Sequence, residues 1–134
     1  MSVANANAIQ LPSHFGNVKH LTILKKIAWK KLAVYTKDEI KFIPFEDISY
    51  CLASNNYATI FTRNGSSYLC AKTLKEIESK LPSDLFIRIH HSYLVNIQFI
   101  TSLKRHSNEL EIDNKIILPI SRSRKNELYE LFNV

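Results

Sequence analysis

Three clusters of polar side chains stand out from apolar surroundings. Arg88, His90, His91 and Ser92 sit inside the run from Phe86 to Asn96. Ser121, Arg122, Ser123, Arg124 and Lys125 follow Pro119, and Ser54, Asn55 and Asn56 precede Tyr57. Three kinds of chemistry compete for them. Proton transfer would use His90 with Ser92, or His91 with Asp47. Against it stand the lack of a paired-carboxylate signature, of a nucleophile elbow and of a glycine-built oxyanion loop, in a chain with only two glycines. A metal site would gather His90, His91 and His106. Adjacent histidines on an extended segment point to opposite sides, and neither Cys51 nor Cys70 has ligand spacing to another cysteine. Nucleic-acid contact fits the residue types directly, because Arg, Lys, His, Asn and Ser supply donors for phosphates and base edges. Arg122 at a helix start would add a guanidinium fork to the positive end of the helix dipole. On these residues alone a solvated cationic surface stays open as well.

The elements that must carry these clusters read mostly as short strands. Leu32 and Val34, then Ile40 and Phe42, flank the turn Thr36-Lys37-Asp38-Glu39, a first hairpin. A strand from Ile48 to Ala53 reaches the Ser54-Asn55-Asn56 turn. Tyr57 to Thr62 alternates, with Tyr57, Thr59 and Phe61 on one face and Ala58 and Ile60 on the other. Asn64-Gly65 reads as a hairpin turn in which both residues tolerate positive φ, and Tyr68 to Ala71 returns. Thr73 and Glu76 make a capping box for a helix with Leu74, Ile77 and Leu81 in one stripe, ended by Pro82. Residues 85–100 are apolar without a clear period. A single hairpin is expected from Leu103 to Leu118, turning at Asp113-Asn114. Ser121 or Ser123 caps a last helix whose Leu128, Leu131 and Phe132 face the core. Residues 21–34 fit a short helix followed by a strand.

The fold class expected is therefore mainly β: small antiparallel sheets built from hairpins, with two short helices. The alternating βαβ units of a nucleotide-binding parallel sheet are missing. The division expected is a basic, flexible arm over residues 1–30, which includes Trp29, and a domain over 31–134. The chain of 134 residues carries a net charge of +6. Residues 1–36 hold five lysines and no acidic residue, whereas the remainder holds 13 basic and 12 acidic side chains. A basic arm beside a nearly neutral domain suits a nucleic acid or another anionic surface. Cys51 and Cys70 lie in apolar, strand-like runs and read as buried free thiols. No secretory signal or span of about 20 apolar residues is visible, so a soluble cytoplasmic protein without membrane insertion is expected.

Five motifs in fixed order resemble the LytTR (LytR/AlgR-like) DNA-binding domain of bacterial transcription regulators over residues 37–134. Ile43-Pro44-Phe45-Glu46-Asp47-Ile48 is similar to the family's entry strand. Ala53-Ser54-Asn55-Asn56-Tyr57 is similar to its A-x-G-N-Y turn, and Lys72-Thr73-Leu74-Lys75-Glu76-Ile77-Glu78 to its T-L-K-E-L-E helix start. Phe86-Ile87-Arg88-Ile89-His90-His91-Ser92-Tyr93-Leu94-Val95-Asn96 resembles F-x-R-[VI]-H-R-S-Y-[LI]-V-N. Leu118-Pro119-Ile120-Ser121-Arg122 resembles the closing [IL]-P-[VI]-S-R.

The resemblance implies transcription regulation rather than catalysis, with no cofactor or metal. It implies that loops enter successive major grooves of double-stranded DNA and bend it. It implies paired direct repeats bound by two copies; the chain is then either a stand-alone regulator or one whose signal arrives through a separate signalling protein. The contacts it implies come from Asn56, Tyr57, Thr59, Lys72, Arg88, His90, His91, Ser92, Ser121, Arg122 and Arg124, with His91 and Arg122 as principal base readers. His91 stands where the family often has Arg, so one base-edge bond replaces a bidentate fork. Asn55 replaces the turn glycine, which Asn's tolerance of left-handed backbone allows. Many relatives carry a phospho-receiver domain upstream, and residues 1–36 are too short for one. The alternative is an all-β interaction module whose basic arm binds an anionic partner or membrane surface.

Overall fold

Ala58 and Ile60 are fully buried while Tyr57 is exposed, so the strand alternates as its sequence does. The structure is a computed structural model that describes residues 18–28 and 30–134. Its units divide between Lys31 and Leu32. In the first, Val18–Ala28 forms helix α1, in the segment whose sequence fitted a short helix and then a strand. Lys25 and Lys26 fall in its last turn, where the dipole favours cations. Trp29, too large and apolar to be left in a wholly free tail and therefore expected to pack on the domain, lies outside the described residues.

The second unit is built on a five-stranded antiparallel sheet. Its strands are β3 (Ile48–Ser54), β4 (Tyr57–Thr62), β5 (Ser67–Cys70), β6 (Phe86–His90) and β7 (Tyr93–Asn96), in the order β5-β4-β3-β7-β6. A two-stranded hairpin of β1 (Lys31–Tyr35) and β2 (Ile40–Pro44) closes through Thr36, whose amide donates to the Glu39 carbonyl. Its inward residues are Leu32, Val34 and Ile43, and Ile40 and Phe42 stay exposed. Helix α2 (Leu74–Lys80) has the expected capping box between Thr73 and Glu76, and Leu74, Ile77 and Leu81 are all buried. Cys51 and Cys70 are free and buried in this core, and burial pushes the Cys51 thiol well above its ordinary range.

Two cores sandwich the central sheet. One gathers Leu32, Val34, Cys51, Ile60, Ile77, Phe86 and Leu94. The other gathers Ile89, Val95, Phe99, Leu110, Leu118 and Leu128. β7 thus sends Leu94 into one core and Val95 into the other, and both are fully buried. Asn96 ends β7 and is buried with its amide satisfied: Nδ2 donates to the Ile48 carbonyl at 2.9 Å and Oδ1 accepts from the Gln98 amide at 2.9 Å.

The second core is covered by a three-stranded meander and a helix. The strands are β8 (Ile100–Lys104), β9 (Glu109–Ile112) and β10 (Ile116–Pro119), and the helix is α3 (Arg122–Leu131). This corrects the single hairpin expected from Leu103 to Leu118. A second turn over residues 105–108 closes on Asn108 at φ 52°, without the glycine or proline that would have marked it. Leu128 is buried, but Leu131 and Phe132 are 48% and 37% exposed, so they do not face the core as expected. At Asn64-Gly65 only Gly65 takes positive φ (92°). Asn64 instead accepts from Thr62 and from the Ser66 amide through Oδ1. No described helix is long and apolar enough to cross a membrane.

Candidate nucleic-acid interface

Antiparallel pairing decides which loops share an end. Ser54 pairs with Tyr57, Ala58 with Cys70, Leu52 with Tyr93 and His90 with Tyr93. The turn after β3, the segment after β5 and the turn between β6 and β7 therefore emerge at one end of the sheet. Two backbone bonds tie the turn after β3 to the turn between β6 and β7, and the start of α3 to β6. The Ala53 amide donates to the Ser92 carbonyl at 2.8 Å, and the Ser121 amide donates to the Ile89 carbonyl at 2.9 Å. Along this edge, in strand order, stand Lys72, then Asn56 and Tyr57, then His91 and Ser92, then Ser121 and Arg122.

Each position has a local cause. Asn55 takes φ 57°, as its place in the turn requires, which leaves Asn56 and Tyr57 exposed at the tip. Lys72 is half-buried, its ammonium 6.0 Å from the Tyr35 ring centre. Thr59 does not join the tip, because it sits inside β4 between Leu52 and Leu69.

The turn between β6 and β7 is held from inside by Arg88. A bulge between Arg88 and His90 bends the strand there. The guanidinium then donates to three acceptors: Nε to the His90 carbonyl at 2.9 Å, Nη2 to the His91 carbonyl and Nη1 to Glu78 Oε1 at 3.0 Å. With 14% of its side chain exposed, Arg88 is committed to its own chain. His90 Nδ1 accepts from the Ser92 amide at 3.1 Å, and its ring meets the Tyr93 ring edge-on at 5.9 Å. His91 packs beside His90 at 4.3 Å between ring centres and is exposed.

Burial first, then the neighbouring His91 and Arg88, hold the His90 imidazole below its ordinary range. The bond from Ser92 needs Nδ1 unprotonated. The unfolded chain takes up the proton more readily than the fold, so this stability is present above the usual imidazole value and is lost as pH falls through the depressed folded one. Arg88, His91 and Tyr93 are the titratable or charged groups facing the ring. Melting temperatures of the wild type and of His90→Gln should therefore diverge between about pH 7.5 and pH 5.5, with the wild type losing more on acidification. Parallel curves would show that His90 does not order the turn.

At the start of α3, Ser121 occupies the N-cap position, but its side chain does not cap. Its Oγ lies 3.4 Å from Ser123 Oγ instead. The first turn holds Arg122, Arg124 and Lys125 and no acidic residue, a charge arrangement that opposes the helix dipole. Lys125 is tied to Asn108 Oδ1 at 2.8 Å, and Arg124 lines a separate groove with Glu78, Glu127 and Glu130. Arg122 is exposed and forms no ion pair among the described residues. A structural role for Arg122 would need an ion pair with Glu46 or Asp47; Asp47 pairs with Arg63 at 3.1 Å, and no pair between Glu46 and Arg122 is found among the described residues. Sequence reasoning missed two positioning residues. Glu78 anchors Arg88 from α2, and Asn108 fixes the approach to α3 by accepting from the Ile120 amide at 2.8 Å. Only the tolerance of Asn for left-handed backbone marked the second in advance. Among the described residues no group of three His, Cys, Asp or Glu side chains is placed to hold a metal ion.

These features define a small, mainly β module with polar loops and a cationic helix start gathered on one edge. Residues 38–133 match the LytTr DNA-binding domain, and the chain belongs to that family. It is 32% identical over 108 residues to the heme-containing CO-sensing transcriptional regulator RcoM 1 of Paraburkholderia xenovorans, covering 78% of this chain and 40% of that one. The sensory transduction protein LytT of Bacillus subtilis is 31% identical over 78% of this chain and 44% of its own. The transcriptional regulatory protein YpdB of Escherichia coli is 33% identical over 73% of this chain and 42% of its own. The chain thus spans well under half the length of these relatives. The LytTr DNA-binding domain of a putative methyl-accepting/DNA response regulator from Bacillus cereus superposes with a TM-score of 0.69 at 27% identity, covering 78% of this chain and 98% of that one.

Proposed function

We propose that this chain is a sequence-specific, double-stranded-DNA-binding transcription regulator and performs no catalysis. The observation that carries the reading is the edge itself. Asn56, His91 and Arg122 are exposed on three loops whose backbones are hydrogen-bonded to one another. Rigid spacing of donors is what base readout needs, because each must meet a fixed base edge. On this reading the loops, not a recognition helix, enter successive major grooves and bend the duplex. His91 and Arg122 read bases. Asn56, Tyr57, Lys72, Ser92 and Ser121 hold backbone, and Arg88 and His90 act by ordering the turn. Two copies occupy adjacent direct repeats. The lysines between Lys19 and Lys31 form part of a basic arm that adds affinity without discrimination. A separate signalling protein supplies the input, and the site of action is the bacterial cytoplasm.

Selection of bound sites from a random DNA pool tests this directly, and a repeated short motif is expected. Log affinity for that site should also fall linearly with log salt, with a slope steeper than about −3, since each neutralised phosphate contributes about −0.9. A flat salt response, or equal binding to any polyanion, would remove specific DNA binding as the function.

A further inference from the structure

The turn between β8 and β9 stands beside the start of α3. Lys104 and Pro119 pair with Glu109 from its two sides, so residues 105–108 emerge where β10 hands over to α3. The Asn108 carbonyl accepts from the Ile120 amide at 2.8 Å, and its Oδ1 accepts from Lys125 Nζ at 2.8 Å. The next residue, Ser121, is the one whose amide reaches the Ile89 carbonyl of β6 at 2.9 Å. Asn108 at φ 52° closes the turn, which is thus held to the junction by backbone and side chain alike. What it presents is polar and cationic. Arg105, His106 and Ser107 are exposed, and no apolar or acidic residue stands between Lys104 and Asn108. Lys104 is taken by Glu111 at 3.3 Å. Arg105 forms no ion pair among the described residues, and the groove it borders beside Tyr129 and Phe132 has no acidic side chain in its lining. The turn lacks the apolar anchor on which a protein partner would centre. Its exposed groups are donors suited to phosphate oxygens.

We propose that this turn is a further DNA-contacting loop, in which Arg105 pairs with a backbone phosphate flanking the base that Arg122 reads. His106 and Ser107 donate beside it. The inference rests on the DNA reading above and adds a contact that positions the protein without reading sequence. Because Asn108 ties the turn to Ile120, a phosphate held by Arg105 also fixes the neighbouring start of α3 against the duplex.

The test uses the full chain and the DNA site that random-pool selection yields. Arg105→Ala should keep the melting temperature and the selected motif of the wild type. It should bind that site about tenfold more weakly at about 0.05 M salt but only about threefold at about 0.2 M, since one lost phosphate contact takes about 0.9 from the salt slope. Arg105→Lys keeps a charge that a phosphate accepts, so its slope should stay that of the wild type. Neutral methylphosphonates placed singly along the site should weaken the wild type at one flanking position to which Arg105→Ala is indifferent. An Arg105→Ala variant with the wild-type slope, or with the wild-type response to every methylphosphonate, would overturn this contact while specific binding stands. A changed motif would make Arg105 a base reader, and early melting with an unchanged slope would make it structural; either result overturns the proposal. If the wild type itself selects no motif, the DNA reading fails and this contact fails with it.

Discussion

Arg122→Ala should leave the melting temperature unchanged or slightly raised while costing about 1–3 kcal/mol of specific DNA binding. The stability half follows from the helix start. Arg122 stands in the first turn of α3 beside Arg124 and Lys125, with no acidic residue to offset the partial positive charge there. It is exposed, and no ion pair involving it is found among the described residues. Its removal therefore breaks nothing and relieves repulsion. The binding half follows from rigidity. The Ser121 amide is fixed to the Ile89 carbonyl, and Leu128 is fully buried, so the helix start cannot drift to compensate. Base preference should relax at one position of the selected site, not across all of it. A variant that melts markedly earlier while its folded fraction binds normally would make Arg122 structural and remove it from the edge.

The elements legible in the sequence are those whose cause is local. Thr73 and Glu76 announce α2 because a capping box needs only four residues. Ala58 and Ile60 announce β4 because only one of its faces is deeply buried. Residues 85–100 gave no period because β6 and β7 run between two cores. Leu94 and Val95 are neighbours and both are fully buried, so alternation disappears. The bulge beside Arg88 shifts the register once more. The turn at residues 105–108 went unread because Asn108 enters left-handed backbone without glycine or proline beside it. Leu131 and Phe132 fit a helical stripe, yet they line two separate surface grooves beside α3 and not its core.

The candidate site was legible in part for the same reason. Its loops could be named from motifs, but their order along one edge comes from strand pairing, which no local pattern encodes. Arg124 and Thr59 each lie two residues beyond a motif, and their side chains have other surroundings. Arg88 is the sharpest case. A cation within a polar cluster reads as a ligand contact, and nothing local in the sequence announces the three hydrogen bonds it makes within the chain.

Those three bonds set the second large expectation. Arg88→Ala should lower stability by about 2–4 kcal/mol. It leaves the His90 and His91 carbonyls and the Glu78 carboxylate without their donor; a hydrogen bond to a charged group contributes about 1.5–3 kcal/mol when shielded, but water reaches Glu78 and the His91 carbonyl and replaces most of what those two bonds supply. Arg88→Lys separates a clamp from a DNA contact. An ammonium is a point charge and cannot span two turn carbonyls and a carboxylate as the planar fork does. If Arg88 is a clamp, the Lys variant should melt nearly as early as the Ala variant, and both should lose DNA affinity because the turn carrying His91 loosens. The salt slope of the remaining binding should stay that of the wild type, since no phosphate contact has gone. If Arg88 instead meets a phosphate, Lys should keep most of the affinity, while Ala should lose it and flatten the slope by about one unit. Retention by Lys together with that flattening would overturn the clamp. Early melting of both variants at constant slope would place Arg88 behind the edge, holding His91 and Ser92 where the neighbouring loops can act with them.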